Sequence, residues 1–206
     1  MRLLIRGILV ITLLTACGGT VNTRYYSFPG INPAHMASVG QYDKVIVVGP
    51  ITLHEAIDHP QLMIKRSETK TEILENDRWA NSLEKEVQKL AIDSMSGMLG
   101  SSKIMSFPWT GTEQAAYRVS LEIKEMSAMP GKEAVLTVSW TIYNESTLDQ
   151  AKLPASSYRG PVGKSVELEE IVTIYQGLHL RSIRDLSKQL LQTIRADLRN
   201  TKSIAK

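Results

Sequence analysis

Residues 117–143 read YRVSLEIKEMSAMPGKEAVLTVSWTIY. In the first run, Tyr117, Val119, Leu121 and Ile123 alternate with Arg118, Ser120, Glu122 and Lys124. Successive strand side chains point to opposite faces, so the run is a strand with one buried and one wetter face. SAMPGK contains Pro130 and Gly131 and reads as a turn. Alternation then resumes, with Ala134, Leu136, Val138, Trp140 and Ile142 on one face. Two alternating runs around a short turn make an antiparallel hairpin. Its apolar face needs a cover, which the rest of the chain must supply.

Two segments carry helical spacing. From about Ser82 to Leu99, Leu83, Val87, Leu90, Ala91, Ser94, Met95 and Met98 share one face. Asn81 is placed to cap this helix, with Glu84 three residues on, and Gly97 and Gly100 bracket its end. From about Val166 to Arg199, Leu168, Ile171, Val172, Tyr175, Leu178, Leu186, Leu190, Ile194 and Leu198 form a second stripe. Ser165 can cap it, and Glu167, Glu169 and Glu170 suit its positive end. Arg181, Arg184, Lys188, Arg195 and Arg199 load the other end with positive charge, again matching the dipole. Gly177 is a weak point where this helix can bend or break.

Other strands lie upstream. RYYSF (24–28) is aromatic-rich. KVIVVGP (44–50) has a continuous apolar run, as in a central strand, ended by Gly49-Pro50. QLMIKRSETKTEILE (61–75) reads as two short strands around a polar turn at Ser67–Lys70, and KIMSF (103–107) as one more. Residues 29–43 and the stretch holding Pro154, Gly160, Pro161 and Gly163 read as loops. The expected fold is a single α+β domain: an antiparallel-rich mixed sheet with two main helices packed on one face.

The chain opens differently. Arg2 and Arg6 precede the apolar run Ile8–Leu14, and Thr15-Ala16 lead into Cys17, the single cysteine. A basic head, a short apolar core and small residues are the marks of a secretory signal, and the run is shorter than the ~20 residues a membrane span needs. Leu14-Thr15-Ala16-Cys17 resembles a bacterial lipobox, in which Cys17 is lipidated and becomes the first mature residue. The organisation expected is therefore a signal peptide over 1–16, a lipidated tether over 17–23 and the folded domain over 24–206. Cleavage leaves 190 of the 206 residues, enough for one sizeable domain, and 43% hydrophobic content supplies a core. Basic residues exceed acidic ones by 24 to 21, and losing Arg2 and Arg6 makes that 22 to 21, so nothing favours nucleic acid as a partner. With one cysteine there is no disulfide framework. Gly18 and Gly19 follow Cys17; sorted lipoproteins that stay in the inner membrane tend to carry Asp there, so Gly18 points to the outer membrane.

Little in the sequence carries catalytic chemistry. His54 and His59 flank Glu55 and Asp58 in HEAIDH, but the histidine spacing is not that of a zinc helix and Pro60 cuts it short. His35 and His179 have no partner at ligand spacing. No G-x-S-x-G elbow, phosphate loop or dinucleotide motif occurs. No catalytic residue, metal or cofactor is expected. Trp140, inside a strand, belongs to the core. Trp79 precedes a helix and can staple its start, and Trp109 with Pro108 ends a strand; either can instead anchor a partner, since Trp and Arg are favoured at interface hot spots. Arg78, Trp79 and Trp109 are the candidate partner contacts.

Five motifs occur in register: RYYSF after the cysteine, VIVVGPITL (45–53), HPQLMIKRS (59–67), DRWANSLEKEV (77–87) and IMSFPW (104–109). Together they resemble the ABC-type transport auxiliary lipoproteins, the family of the PqiC (YmbA) lipoproteins of Gram-negative bacteria. Phe28 stands where that family usually has leucine, His54 where it has proline, His59 where it has arginine, and Asn81-Ser82 where it has Glu-Pro. The resemblance implies a non-enzymatic outer-membrane lipoprotein on the periplasmic face. It would be the docking subunit for an MCE-domain protein that moves lipid between membranes and preserves envelope integrity. It leaves room for a homo-oligomer, which nothing in the residues shows. The rival reading is a lipoprotein that binds lipid or cell wall on its own; an apolar cavity between sheet and helices would favour it.

Overall fold

A computed structural model describes residues 22–204. The signal peptide, Cys17, Gly18 and most of the tether lie outside the described residues. Strands β6 (Tyr117–Ala128) and β7 (Glu133–Asn144) form the expected hairpin, paired from Tyr117↔Asn144 to Ala128↔Ala134 with one bulge between Ile123 and Glu125. On one side β2 (Ile46–Leu53) joins β6 in parallel, and β5 (Ile104–Ser106) joins β2 in parallel. On the other side β8 (Gln150–Lys152) and β9 (Ser156–Pro161) pair with successive stretches of β7. These make a six-stranded sheet.

Helices α1 (Leu83–Leu99) and α2 (Leu168–Ile204) pack against each other and against β2 and β7 of that sheet. Their apolar stripes meet the hairpin's inner face, where Leu121, Ile123, Leu136, Ile142, Leu178, Ile183 and Leu186 are almost fully buried. Each such side chain stabilises by about 1.5–3 kcal/mol relative to exposure, and this layer is the principal core. The single α+β domain with two helices on one face is what alternation and helical spacing predict. Four of the seven strand pairings among the described residues are antiparallel.

Five details differ from the sequence reading. Gly49-Pro50 does not end β2: the strand continues to Leu53, and a register shift between Val48 and Ile51 carries β6 pairing past the proline, which cannot donate to a ladder. The strands form two sheets, because β1 (Arg24–Tyr26), β4 (Lys70–Trp79) and β3 (Gln61–Ser67) make a separate three-stranded one, with β1 parallel to β4. β8 and β9 replace the expected loop. Ser82, not Asn81, occupies the N-cap of α1, and it makes no side-chain cap bond; Asn81 donates to Glu86 instead. α2 runs through Gly177 unbroken and starts at Leu168, the Glu167 carbonyl taking the first helical bonds rather than Ser165 acting as cap.

Candidate functional site

The tether enters the fold at β1, and β1 is clamped. Arg24 Nε and Nη2 donate to Asp77 Oδ1 and Oδ2 at 2.6 and 3.0 Å, and the Tyr26 hydroxyl donates to Asp77 Oδ1 at 3.0 Å. Such a bidentate pair fixes geometry as well as charge. The Arg24 guanidinium holds the Asp77 carboxyl below its usual range, while burial, followed by the bond to Asp77, pushes the Tyr26 hydroxyl up to about 12. Past the strand, Tyr26 O accepts from Ala80 N–H at 2.7 Å, Phe28 N–H donates to Glu86 Oε2 at 3.2 Å, and the Gln176 amide donates to Pro29 O. Thus β4, α1 and α2 all grip residues 24–29. Phe28 meets the Trp79 and His179 rings edge-on, with centroids 5.4 and 5.6 Å away.

The candidate contact residues do not converge. Trp79 ends β4 and is only 6% exposed, its indole spent on the core beside Phe28. Arg78 is half-buried, pairs in register with the exposed Tyr25, and donates from Nε to Glu75 O at 3.3 Å. Trp109 lies after β5 on the other sheet, half-buried, its Nε1–H on Glu113 O at 2.9 Å and its ring over Gly111. Among the described residues no hydrogen bond or ring contact joins Trp109 to Arg78 or Trp79.

Two open clefts lie at opposite ends of β6. One of about 320 Å³ lies between β3 and β6, with Ile57, Met63 and Met126 as its apolar part and Lys65 and Lys124 among its polar lining. It also brings His54, Ser127 and Glu125 together. The Ser127 hydroxyl donates to Glu125 at 3.0 Å, and His54 Nδ1 accepts from Ala56 N–H at 3.2 Å. Among the described residues no hydrogen bond joins that histidine to the serine. The other cleft, about 530 Å³, lies where β6 starts and β7 ends, against the C-terminal turns of α2. Here Asp197 Oδ2 accepts from Tyr117 OH and Asn144 Nδ2 at 2.6 and 2.8 Å, and burial followed by the Asp197 bond drives the Tyr117 hydroxyl pKa upward.

Among the described residues no group of three or more His, Cys, Asp or Glu side chains could hold a metal ion, and no helix is long and apolar enough to cross a membrane. Sequence reading missed Leu148, which tops the loop beside the larger cleft with its backbone in the left-handed region. The available signal was a leucine where a short hairpin loop ordinarily takes Gly or Asn.

A family model described as ABC-type transport auxiliary lipoprotein component matches residues 26–170. A crystal structure of an uncharacterized protein superposes with a TM-score of 0.66 at 12% identity, covering 82% of this chain and 99% of its own. A Xanthomonas campestris protein bearing the family label DUF330 gives 0.65 at 10% identity, covering 85% of this chain and 99% of its own. These likenesses show a shared fold. No curated protein matches the sequence.

Proposed function

This chain belongs to the ABC-type transport auxiliary lipoprotein family, and from that premise we propose that it is an outer-membrane lipoprotein docking an MCE-type intermembrane lipid transport assembly. The observation that carries the reading is the clamp at the tether root. With Cys17 lipidated, seven steps reach Arg24, at most ~25 Å of extended chain. Because Asp77 holds Arg24, no further slack comes out of the domain. The folded part stays near its bilayer, and the span across the periplasm falls to the partner. Lipidation with more than one acyl chain gives stable anchoring. Gly18 after the lipidated cysteine favours the outer membrane. Arg78, beside exposed Tyr25, and Trp109 are the accessible members of the contact set. The family is described as a transport component, and the role asks no catalysis of this chain.

The rival, a lipoprotein that binds lipid alone, would need acyl-chain space between sheet and helices. That layer is filled by side chains such as Leu136, Ile142, Leu178 and Leu186, each at most 1% exposed.

Native affinity purification from envelopes tests the docking role. An MCE-domain protein should be recovered with the wild-type chain, and its absence would end the reading. Anchoring has a separate test. Cys17→Ala should abolish lipidation and remove the protein from the outer-membrane fraction; unchanged fractionation contradicts the anchor.

A further inference from the structure

The end of the domain away from the tether root carries two leucines that the fold does not use. Leu148 lies in the loop between β7 and β8, where Asn144 Oδ1 accepts from Ser146 and Thr147 N–H and Leu148 N–H reaches Asn144 O. Its φ is 61°, a conformation that Gly or Asn adopts readily and leucine only at a cost. Its side chain is 83% exposed, so no packing offsets that cost. Its neighbours Thr147 and Asp149 line the 530 Å³ groove, and so does Leu198 of α2, 57% exposed. Tyr42, Tyr117 and Ile194 also line the groove. Single exposed leucines are ordinary. A strained one in the loop whose Thr147 and Asp149 line the groove, and a second on the helix that lines it, have no packing role that explains them, and strain of this kind motivates a functional hypothesis.

The approach to this groove is cationic. Arg184, Lys188, Arg195 and Arg199 are exposed on α2, and none has an ion-pair partner among the described residues. The two acids in that half of the helix are bonded to the strand side: Asp185 accepts from Tyr158 OH, and Asp197 from Tyr117 and Asn144. The groove itself holds Lys44, Asp149 and Asp197, but the exposed arginines and lysine of α2 beside it form a basic ridge, and such a ridge attracts carboxylates.

We propose that this end docks an acidic segment of a partner protein, which lays an apolar side chain between Leu148 and Leu198 and its carboxylates along the basic ridge of α2. A bilayer surface fits less well. Interfacial helices offer a whole apolar face, and the apolar stripe of α2 up to Ile194 is already buried in the core, leaving only Leu198 outside it. The placement also suits a socket. Glu169, in the first turn of α2, is near enough to Arg24 to act on its charge, and Leu198 lies 29 residues further along the helix. At ~1.5 Å per residue, Leu198 stands about 43 Å along the helix from Glu169. The choice of a periplasmic protein as occupant rests on the docking role proposed above.

The test places the photo-cross-linker p-benzoylphenylalanine at Leu148, at Leu198 and, as a control on the other sheet, at Ile73 in the full chain, irradiated in intact envelopes. Expected are MCE-domain adducts from 148 and 198 but not from 73, through an acidic peptide. Alongside, Leu148→Asn should raise the thermal midpoint by about 2–4 °C through relieved strain while cutting co-purified partner about tenfold. The pair Arg195→Glu and Arg199→Glu should cut it comparably, and added salt should weaken wild-type capture. MCE adducts from 73 alone would overturn this site and leave the docking role standing. If wild type captures no MCE-domain protein, the docking role fails and the site with it. Adducts at 148 to a second copy or to lipid, or full capture by Leu148→Asn, would also overturn the proposal.

Discussion

Lowering the pH from 7 to 5 should destabilise the domain through His179. Its ring is 1% exposed, and neither nitrogen has a hydrogen-bond partner within the described structure. Burial pushes its pKa from 6.5 down to about 3. In the unfolded chain the ring takes up a proton near pH 6.5; in the folded chain it resists until about 3. Between those values the unfolded state binds more protons, so stability falls as the pH falls through the window. At 1.36 kcal/mol per pH unit, the 1.5 units from 6.5 to 5 amount to about 2 kcal/mol. Ordinary carboxylates contribute little over that interval, since their unfolded pKa values lie near 4. The measurement is urea unfolding of wild type and His179→Leu at pH 7 and pH 5. Wild type should lose about 2 kcal/mol and the variant almost none of it. At pH 7 the variant should be no less stable than wild type by more than about 1 kcal/mol. It loses one edge-on ring contact with Phe28 but also two unpaired buried nitrogens. An equal acid loss in both proteins, or a His179 ring titrating near 6.5 by NMR, would refute the reasoning.

Three further outcomes follow from the packing. Trp79→Ala should cost about 3–5 kcal/mol in urea unfolding because the indole is core, whereas half-buried Trp109→Ala should cost clearly less. Two helix glycines should respond oppositely. A Cβ at Gly97 would come within 2.1 Å of Pro33 O, so Gly97→Ala should lower the thermal midpoint; nothing lies within 4 Å of one at Gly177, so Gly177→Ala should gain about 0.5–1 kcal/mol. Asp77→Asn should cost about 1–3 kcal/mol at neutral pH, nearer the lower figure because Arg24 is largely exposed, and should speed trypsin cleavage at Arg24. Since the native Asp77 pKa is depressed, this difference should shrink as the pH falls below the ordinary aspartate range.

The legible parts of the fold were those written in local periodicity. Tyr117–Ile123 and Ala134–Ile142 announce their pairing by alternation, and α1 and α2 by helical stripes. What stayed hidden was non-local or weakly apolar. β1 pairs with β4 across 53 residues, a parallel match that no neighbouring turn announces. β8 is exposed at all three residues and β9 at four of six, so neither has an apolar alternation to read. Gly49-Pro50 looks like a stop because proline breaks ladders, yet the register shift between Val48 and Ile51 absorbs it. Of the candidate contacts, the sequence marks Trp79 as a large aromatic but cannot say that Phe28 covers it. The left-handed backbone of Leu148 is likewise visible only once the hairpin loop is built.

The central claim is that this domain acts from the membrane, as an anchored dock. It is tested most directly by envelope integrity in a strain lacking the protein, measured as survival in detergent. The account predicts that wild type restores survival and that Cys17→Ala, exported and folded at equal level but without its lipid, does not. Full restoration by the unlipidated protein would contradict it.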